Sequence, residues 1–333
     1  MTYSELTELF AQLAHLRIGV VGDFAVDFYY EVQKTTGETS LETGLDVHWG
    51  RCPRTAPGGA GNVVQNLAAL GVGRVSTFGG VGDDLFGREM RALFDALRVD
   101  TTHLRTMAPG WDTCTYTKPL RPTGEDHRLD FGTHNRVTDA DFTALLAGLE
   151  SALPSLDALI LNQQFPNPLL DEARLNRLQE VLARFPAVRV VADLRDFGRA
   201  VRGATLKVNT AELARLLGTP PADNGETCVT QARWLHDLTG GPVAVTRGAE
   251  GILYVDDRET VAVSGLPLTG PLDPVGAGDT VVAALTAALA AGASPAQALH
   301  LANRAAAVTV RKLGQTGTAS PDEILALSRR GTA

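Results

Sequence analysis

Asp273-Pro-Val-Gly-Ala-Gly-Asp-Thr280 runs without a break into Val281-Val-Ala-Ala-Leu285, so a cluster of small residues leads directly into an apolar helix. Gly276, Ala277 and Gly278 put no bulky side chain in the way, and their backbone N–H groups can turn toward one point. A helix N-terminus adds about half a positive charge there. The product is an anion hole. Asp279 falls in the first helical turn, where residue chemistry alone leaves two readings open. It either caps the helix, or it accepts a hydroxyl proton while the adjacent amides hold phosphoryl oxygens.

Outward from that turn, apolar β-runs alternate with helical periodicity. Strands are predicted over 17–22, 75–80, 158–161, 188–193, 205–208, 242–246 and 252–255. Helices are predicted over 62–70, 85–97, about 170–185, 211–217, 227–238, 278–291, 295–313 and 321–328, with apolar residues at helical spacing. Strands separated by helices of this length predict an α/β fold with a largely parallel sheet covered on both faces. Right-handed crossovers then gather the loops at the strand C-termini, where such sheets bind ligands. Two stretches depart from the pattern. Residues 24–57 and 111–131 are polar with period-two alternation, as in Thr113-Cys-Thr-Tyr-Thr-Lys118. They read either as strands pairing into a small sheet over one end of the main body or as two decorated loops.

Composition narrows the function classes. The 333 residues carry 30 Lys and Arg against 38 Asp and Glu, a net charge of −8, which gives no support to nucleic acid or an anionic membrane as partner. The first residues carry acids where a signal peptide needs cations, and the apolar run 281–293 is shorter than the ~20 residues of a membrane span. Cys52, Cys114 and Cys228 are odd in number and far apart, so neither a disulfide framework nor a Cys-rich zinc site is indicated. The expected location is the reducing cytoplasm.

Three further segments carry chemistry. Ala56-Pro-Gly-Gly-Ala-Gly-Asn-Val-Val-Gln-Asn66 also opens a helix; its glycines let a ligand approach the backbone, and Asn62 offers donor and acceptor to vicinal hydroxyls. The alternative is a tight turn with an Asn near a cap. Gly22-Asp23-Phe-Ala-Val-Asp27 ends the first strand with two acids that either grip sugar hydroxyls or stand solvated in a loop. In Lys207-Val-Asn209-Thr-Ala-Glu212 the local chemistry favours a capping box between Asn209 and Glu212. Neither the dinucleotide fingerprint nor the Walker loop occurs.

Taken in order, these segments resemble the PfkB (ribokinase-like) family of carbohydrate kinases, as do Val81-Gly-Asp-Asp-Leu-Phe-Gly87 and Val245-Thr-Arg-Gly-Ala-Glu-Gly251. The likeness runs from Gly19 to Ala319. It implies one domain over 1–333, a three-layer ribokinase-like α/β fold with a central mostly parallel sheet, and a β-lid made of the two polar stretches. It implies Asp279 as catalytic base, with Gly276, Ala277 and Gly278 as the anion hole. Asp27, Gly58, Gly59 and Asn62 match sugar-holding positions. Asn209, Thr246, Gly248, Gly251 and Asn303 match positions around the nucleotide. Glu212 matches one that organises Mg²⁺ through water, and Asp273 one near a monovalent-cation loop. The implied cofactors are Mg²⁺ with ATP, and K⁺; the implied partners are a sugar or sugar phosphate and a second copy of the chain through the lid. Pro274 stands where the family commonly has Thr, which removes a hydroxyl and a backbone donor, and 162–167 matches no sugar contact. The Gly-Asp-x-x-x-Asp opening and the Gly-Gly-Ala-x-Asn-Val loop look most like the heptose-7-phosphate kinase branch. Arg51, Arg54, Lys118, Arg121 and Arg128 supply lid cations that suit a phosphorylated sugar. A nucleoside kinase of the same fold and a non-catalytic sugar sensor are the competing readings.

Overall fold

Ala158-Leu-Ile-Leu-Asn-Gln163 is buried along its whole length. Alternate side chains of a strand point to opposite faces. Ile160 therefore joins one hydrophobic cluster while Leu159 and Leu161 join another. A strand apolar on both faces needs a helix layer on each side, and that requirement organises the chain.

The structure, a computed structural model, describes residues 1–33, 37–122 and 124–330. Its elements in order are α1 (Tyr3–Leu13), β1 (Arg17–Gly22), β2 (Phe24–Val32), β3 (Gly50–Gly59), α2 (Ala60–Ala69), β4 (Arg74–Val81), α3 (Leu85–Ala96), β5 (Asp100–Thr106), β6 (Thr115–Arg121), β7 (Gly124–Glu125) and β8 (Leu129–Phe131). There follow α4 (Asp139–Ala152), β9 (Ala158–Gln163), α5 (Glu172–Leu182), β10 (Arg189–Leu194), β11 (Thr205–Asn209), α6 (Thr210–Leu217) and α7 (Gly225–Thr239). The chain closes with β12 (Val243–Thr246), β13 (Ile252–Val255), β14 (Thr260–Val263), α8 (Ala277–Ala290), α9 (Pro295–Thr309) and α10 (Pro321–Arg330).

Among the described residues the main sheet has nine strands in the order β14-β13-β12-β11-β10-β9-β1-β4-β5. Pairing is parallel from β5 to β12 and antiparallel for the β13 and β14 edge. One core lies under α1, α2, α8 and α9, the other under α4, α5, α6 and α7. Together they make the expected three-layer, mostly parallel α/β fold. No helix among the described residues is long and apolar enough to cross a membrane.

The two polar stretches pair with one another. Strands β3, β2, β6 and β7, with β8 on β6, form a second, five-stranded sheet. Residues 34–36 and 123 of those stretches lie outside the described residues. Helix α3 fastens this sheet to the main one. Its cap, Asp84, accepts hydrogen bonds from the Gly87 and Thr113 amides at 2.7 Å each, and Phe86 lies between Phe28 and Phe131.

Four elements have no counterpart in the periodicity. Helix α1 starts on a Thr2–Glu5 capping box, and α4 starts on the Thr138 cap. Strands β5 and β14 are edges with one buried side chain each and the rest half-buried or exposed, so neither needs an apolar run. The helix predicted over 295–313 stops at Thr309, because the Val310 carbonyl accepts the Asp273 amide at 2.7 Å and Gly314 turns at φ +65°.

Candidate active site

Helix α8 is capped by Gly276 in the left-handed conformation, φ +79°, with no side chain closing its first turn. Asp279 therefore does not cap it. Its carboxylate Oδ2 accepts a hydrogen bond from Asn62 Nδ2 at 2.6 Å. Asn62, buried at the start of α2, is held in turn: Gln65 Nε2 donates to its Oδ1 at 2.6 Å and Asn66 Nδ2 to its carbonyl at 2.8 Å. Thr280 then bonds Asn66 Oδ1 at 2.9 Å. Two helix starts from opposite ends of the chain thus face each other across one carboxylate.

That turn separates two clefts. Gly276 and Asp279 line a pocket of about 210 Å³, whose other walls include Asp27, Gly59, Asn62, Tyr116 and Thr316. Ala277 and Gly278, the intervening residues, line a cleft of about 530 Å³ on the other side.

In the smaller pocket Asp27 is buried against Lys118, Nζ to Oδ2 2.8 Å, and the Tyr29 hydroxyl lies 3.3 Å from both groups. Burial alone would lower the Lys118 pKa, but the Asp27 carboxylate holds it above the ordinary lysine value. Gly58 is not among the lining residues but backs Asp27, where a Cβ would lie 2.8 Å from Oδ1 and displace the carboxylate, and Gly59 turns at φ +54°. Of the five named cations Arg51, Arg54, Lys118, Arg121 and Arg128, Lys118 and Arg128 line the pocket, joined by Arg195 from the loop after β10. Arg51 is not among the lining residues, Arg121 pairs with Asp126, and Arg54 reaches Gly314 instead. Asp23 is not solvated and is not among the residues lining this pocket. It is buried and accepts the amides of Gln164, Phe165 and Leu169 at 2.7 to 3.0 Å. The unmatched 162–167 stretch is therefore the end of β9 and a loop folded around Asp23, and it delivers Gln164 to the pocket.

The larger cleft gathers Asn209, Thr246, Gly248, Gly251 and Asn303. Gly251 sits at φ +89°, with Val263 O only 2.0 Å from where a Cβ would stand. Asn303 Nδ2 donates to the Val263 and Ser264 carbonyls. Glu212 is not among the lining residues. Its carboxylate completes the capping box on the Asn209 amide at 2.8 Å, and Asn209 is the member of the pair that reaches the cleft. Asp273 gives both oxygens to main-chain amides, Val275 at 3.0 Å and Gly314 at 2.9 Å.

Beneath the turn lies a buried ion pair. Asp193 on β10 and Lys207 on β11 are neighbours across a parallel ladder, Nζ to Oδ2 3.1 Å, both nearly inaccessible. Lys207 also lines the larger cleft, and a Cβ on Gly278 would meet its Nζ at 2.9 Å. The field of this pair reaches Asp279, whose pKa is pushed up to about 7. Burial is the main cause and the Asp193 charge the next; the Asn62 hydrogen bond and Lys207 pull the other way. Sequence reasoning gave Asp193, Lys207 and Arg195 no role. The available signal was a lysine inside an otherwise apolar strand, where a buried charge requires a partner.

A helix start wedged between two clefts of a doubly wound sheet, with a second sheet over the smaller cleft, is the arrangement of a ribokinase-like sugar kinase. The chain belongs to the pfkB family of carbohydrate kinases, whose pattern matches residues 16–323. It is 36% identical over 324 residues to "Bifunctional protein HldE" of Halorhodospira halophila, and 33% identical over 327 residues to that of Rhodospirillum rubrum. Those alignments cover 96% and 97% of this chain but only 64% of each relative. Among solved structures, phosphofructokinase-2 from Escherichia coli superposes with a TM-score of 0.76 at 19% identity, covering 96% of this chain and all of that one. Arabidopsis thaliana ribokinase, complexed with ribose and ATP, gives 0.72 at 20%, covering 95% and 99%.

Proposed function

We propose that this chain transfers the γ-phosphoryl group of ATP to a hydroxyl of a sugar that already carries a phosphate, with a heptose 7-phosphate as acceptor. The observation that carries the reading is the division of one turn between two clefts. Gly276 and Asp279 face the smaller pocket and Ala277 and Gly278 the larger. A group passing between them crosses the N-terminus of α8, where backbone amides and the helix dipole favour negative charge.

In this reading the larger cleft holds ATP against Asn209, Thr246, Gly248, Gly251 and Asn303, and Asp27, Gly58, Gly59 and Asn62 hold the sugar. Asp279 takes the proton of the acceptor hydroxyl as that oxygen bonds to the γ-phosphorus and the bond to the bridging oxygen of ADP breaks. The amides of Gly276, Gly278 and Asp279 stabilise the migrating oxygens, while the expected Ala277 amide is instead donated to the Pro274 carbonyl at 3.1 Å; a base of pKa about 7 is matched to neutral pH. Among the described residues no cluster of three or more His, Cys, Asp or Glu forms a metal cage. Mg²⁺ brought with the nucleotide would neutralise phosphate charge, and Asn209 at the cleft wall, with Glu212 behind it, would hold it through water. A monovalent ion beside Asp273 is read by comparing turnover in potassium and in tetramethylammonium buffers.

Lys118, Arg128 and Arg195 around a 210 Å³ pocket favour an anionic acceptor, in line with the resemblance to the heptose branch and with relatives named HldE. A nucleoside would want an open aromatic face. Among the described residues the pocket offers Tyr116, which Arg128 already covers at 4.8 Å. Exposed Leu41, Leu45, Trp49 and Leu129 around the second sheet support a homodimer through that sheet, readable by sedimentation. The test of function is ADP release over a panel of sugars, sugar phosphates and nucleosides. We expect turnover with D-glycero-D-manno-heptose 7-phosphate; turnover confined to nucleosides, or to unphosphorylated sugars, would overturn the reading.

A further inference from the structure

Arg54 projects from β3 in the second sheet and bonds the loop after α9, Nη2 to Gly314 O at 2.7 Å, across 260 residues of chain. On its own sheet the guanidinium lies 4.2 Å from the centre of the Tyr29 ring. The hydroxyl of that ring touches both Asp27 and Lys118 in the acceptor pocket. On the far side, the Gly314 amide donates to Asp273 Oδ2 at 2.9 Å, and Asp273 Oδ1 accepts the Val275 amide at 3.0 Å, one residue before the Gly276 cap. Beside the Asn62–Asp279 and Gln65–Thr316 bonds, Arg54 thus adds a separate cross-link that runs from the acceptor-binding carboxylate, by way of Tyr29 and the loop after α9, to the phosphoryl-transfer turn.

We propose that Arg54 is a positioning residue that couples acceptor binding to nucleotide binding, an inference that rests on the reading under Proposed function. The bond to Gly314 is made with the second sheet lying over the pocket. An acceptor engaging Asp27 and Lys118 favours that position and so fixes Gly314. Through Asp273 this fixes the loop 273–276, whose continuation lines the nucleotide cleft at Pro274, Ala277 and Gly278. A nucleotide that orders this loop presents Gly314 to Arg54 in turn. Coupling between two binding sites is reciprocal, so each substrate tightens the other, and the second sheet closes on a complete pair of substrates. Water is then kept from the phosphoryl group while the acceptor is absent.

The test compares wild type, R54A and R54K. AMP-PNP binding is measured by calorimetry with and without D-glycero-D-manno-heptose 7-phosphate, or with the sugar phosphate that wild type turns over if the panel selects another. ATP hydrolysis without acceptor is measured alongside. We expect the acceptor to tighten AMP-PNP about 5-fold or more in wild type. In R54A this factor should fall toward one, with AMP-PNP affinity in the absence of acceptor unchanged and acceptor-free hydrolysis raised relative to transfer. R54K, which keeps a cation over Tyr29 and one donor for Gly314, should restore part of the coupling. Arg54 is exposed, so its melting temperature should stay at the wild-type value. Equal coupling in wild type and R54A, or no coupling in a wild type that turns over, overturns the inference alone; absence of turnover on every acceptor overturns the functional reading beneath it.

Discussion

Asn62 and Asp279 lie 217 residues apart in the chain and meet through a 2.6 Å hydrogen bond from amide nitrogen to carboxylate oxygen. Each stands in the first turn of a helix with no side-chain cap. The bond orients the carboxylate toward the acceptor pocket instead of back along its own helix. It also stabilises the ionised form and restrains a pKa that burial and Asp193 push up to about 7.

A pH dependence follows. As a base, Asp279 works deprotonated, so kcat/KM should fall about tenfold per pH unit below 7. N62L removes a hydrogen bond to the ionised form, and its acid limb should move to higher pH. D193N removes a negative neighbour, and its limb should move to lower pH. The stability consequence has a definite sign. A carboxyl whose folded pKa lies above its ordinary 3.8 contributes stability that is complete below that value and is lost as pH rises through about 7. The melting temperature of D279N relative to wild type should therefore be higher at pH 8 than at pH 5. Initial-rate profiles and thermal melts at the two pH values check both statements.

The Asp193–Lys207 pair gives a different expectation. Both groups are out of water, so K207M leaves a buried carboxylate uncompensated, at a cost of about 3–5 kcal/mol. The double variant D193N/K207M has no stranded charge and should regain much of that loss in urea unfolding. Its turnover should stay low, because Lys207 Nζ stands beside Gly278 in the anion hole. Recovery of turnover together with stability would mean that the pair only supports the fold.

Arg128 and Arg195 reach the acceptor pocket from two different sheets. A charge-assisted hydrogen bond is worth about 1.5–3 kcal/mol, so R128A and R195A should each raise the KM of a phosphorylated acceptor by about 10-fold or more. Neither should alter KM for ATP. Equal losses with the unphosphorylated sugar would remove the argument for an anionic acceptor.

Much of this was readable beforehand, for identifiable reasons. The helix start at Gly276 is local chemistry, since small residues before an apolar helix can form little else. The layered fold followed from strands such as 158–161, whose length and lack of polar residues require cover on both faces. Pairing of the two polar stretches was legible only as a possibility, because alternation specifies a half-exposed strand without naming its partner. Asp193 and Lys207 were hidden because their meeting depends on the register of two neighbouring strands, in which Val191 faces Thr205 and Ala192 faces Leu206. Local sequence leaves Asp23 open between gripping hydroxyls and standing solvated, because the amides of Gln164, Phe165 and Leu169 that it accepts lie more than 140 residues away in the chain. Arg195 sits in a short loop after β10 with no pattern around it, and only the tertiary fold carries it to the pocket.

The most direct measurement is the steady-state turnover of D279N beside wild type, with acceptor and nucleotide affinities measured separately. The asparagine keeps the shape and the hydrogen-bonding reach but cannot take up the hydroxyl proton. We expect kcat to fall about 10²- to 10⁴-fold, with both affinities within a few-fold of wild type. A D279N enzyme that transfers phosphate at a rate near wild type would contradict the assignment of this carboxylate as the base, and with it the chemistry proposed for the turn.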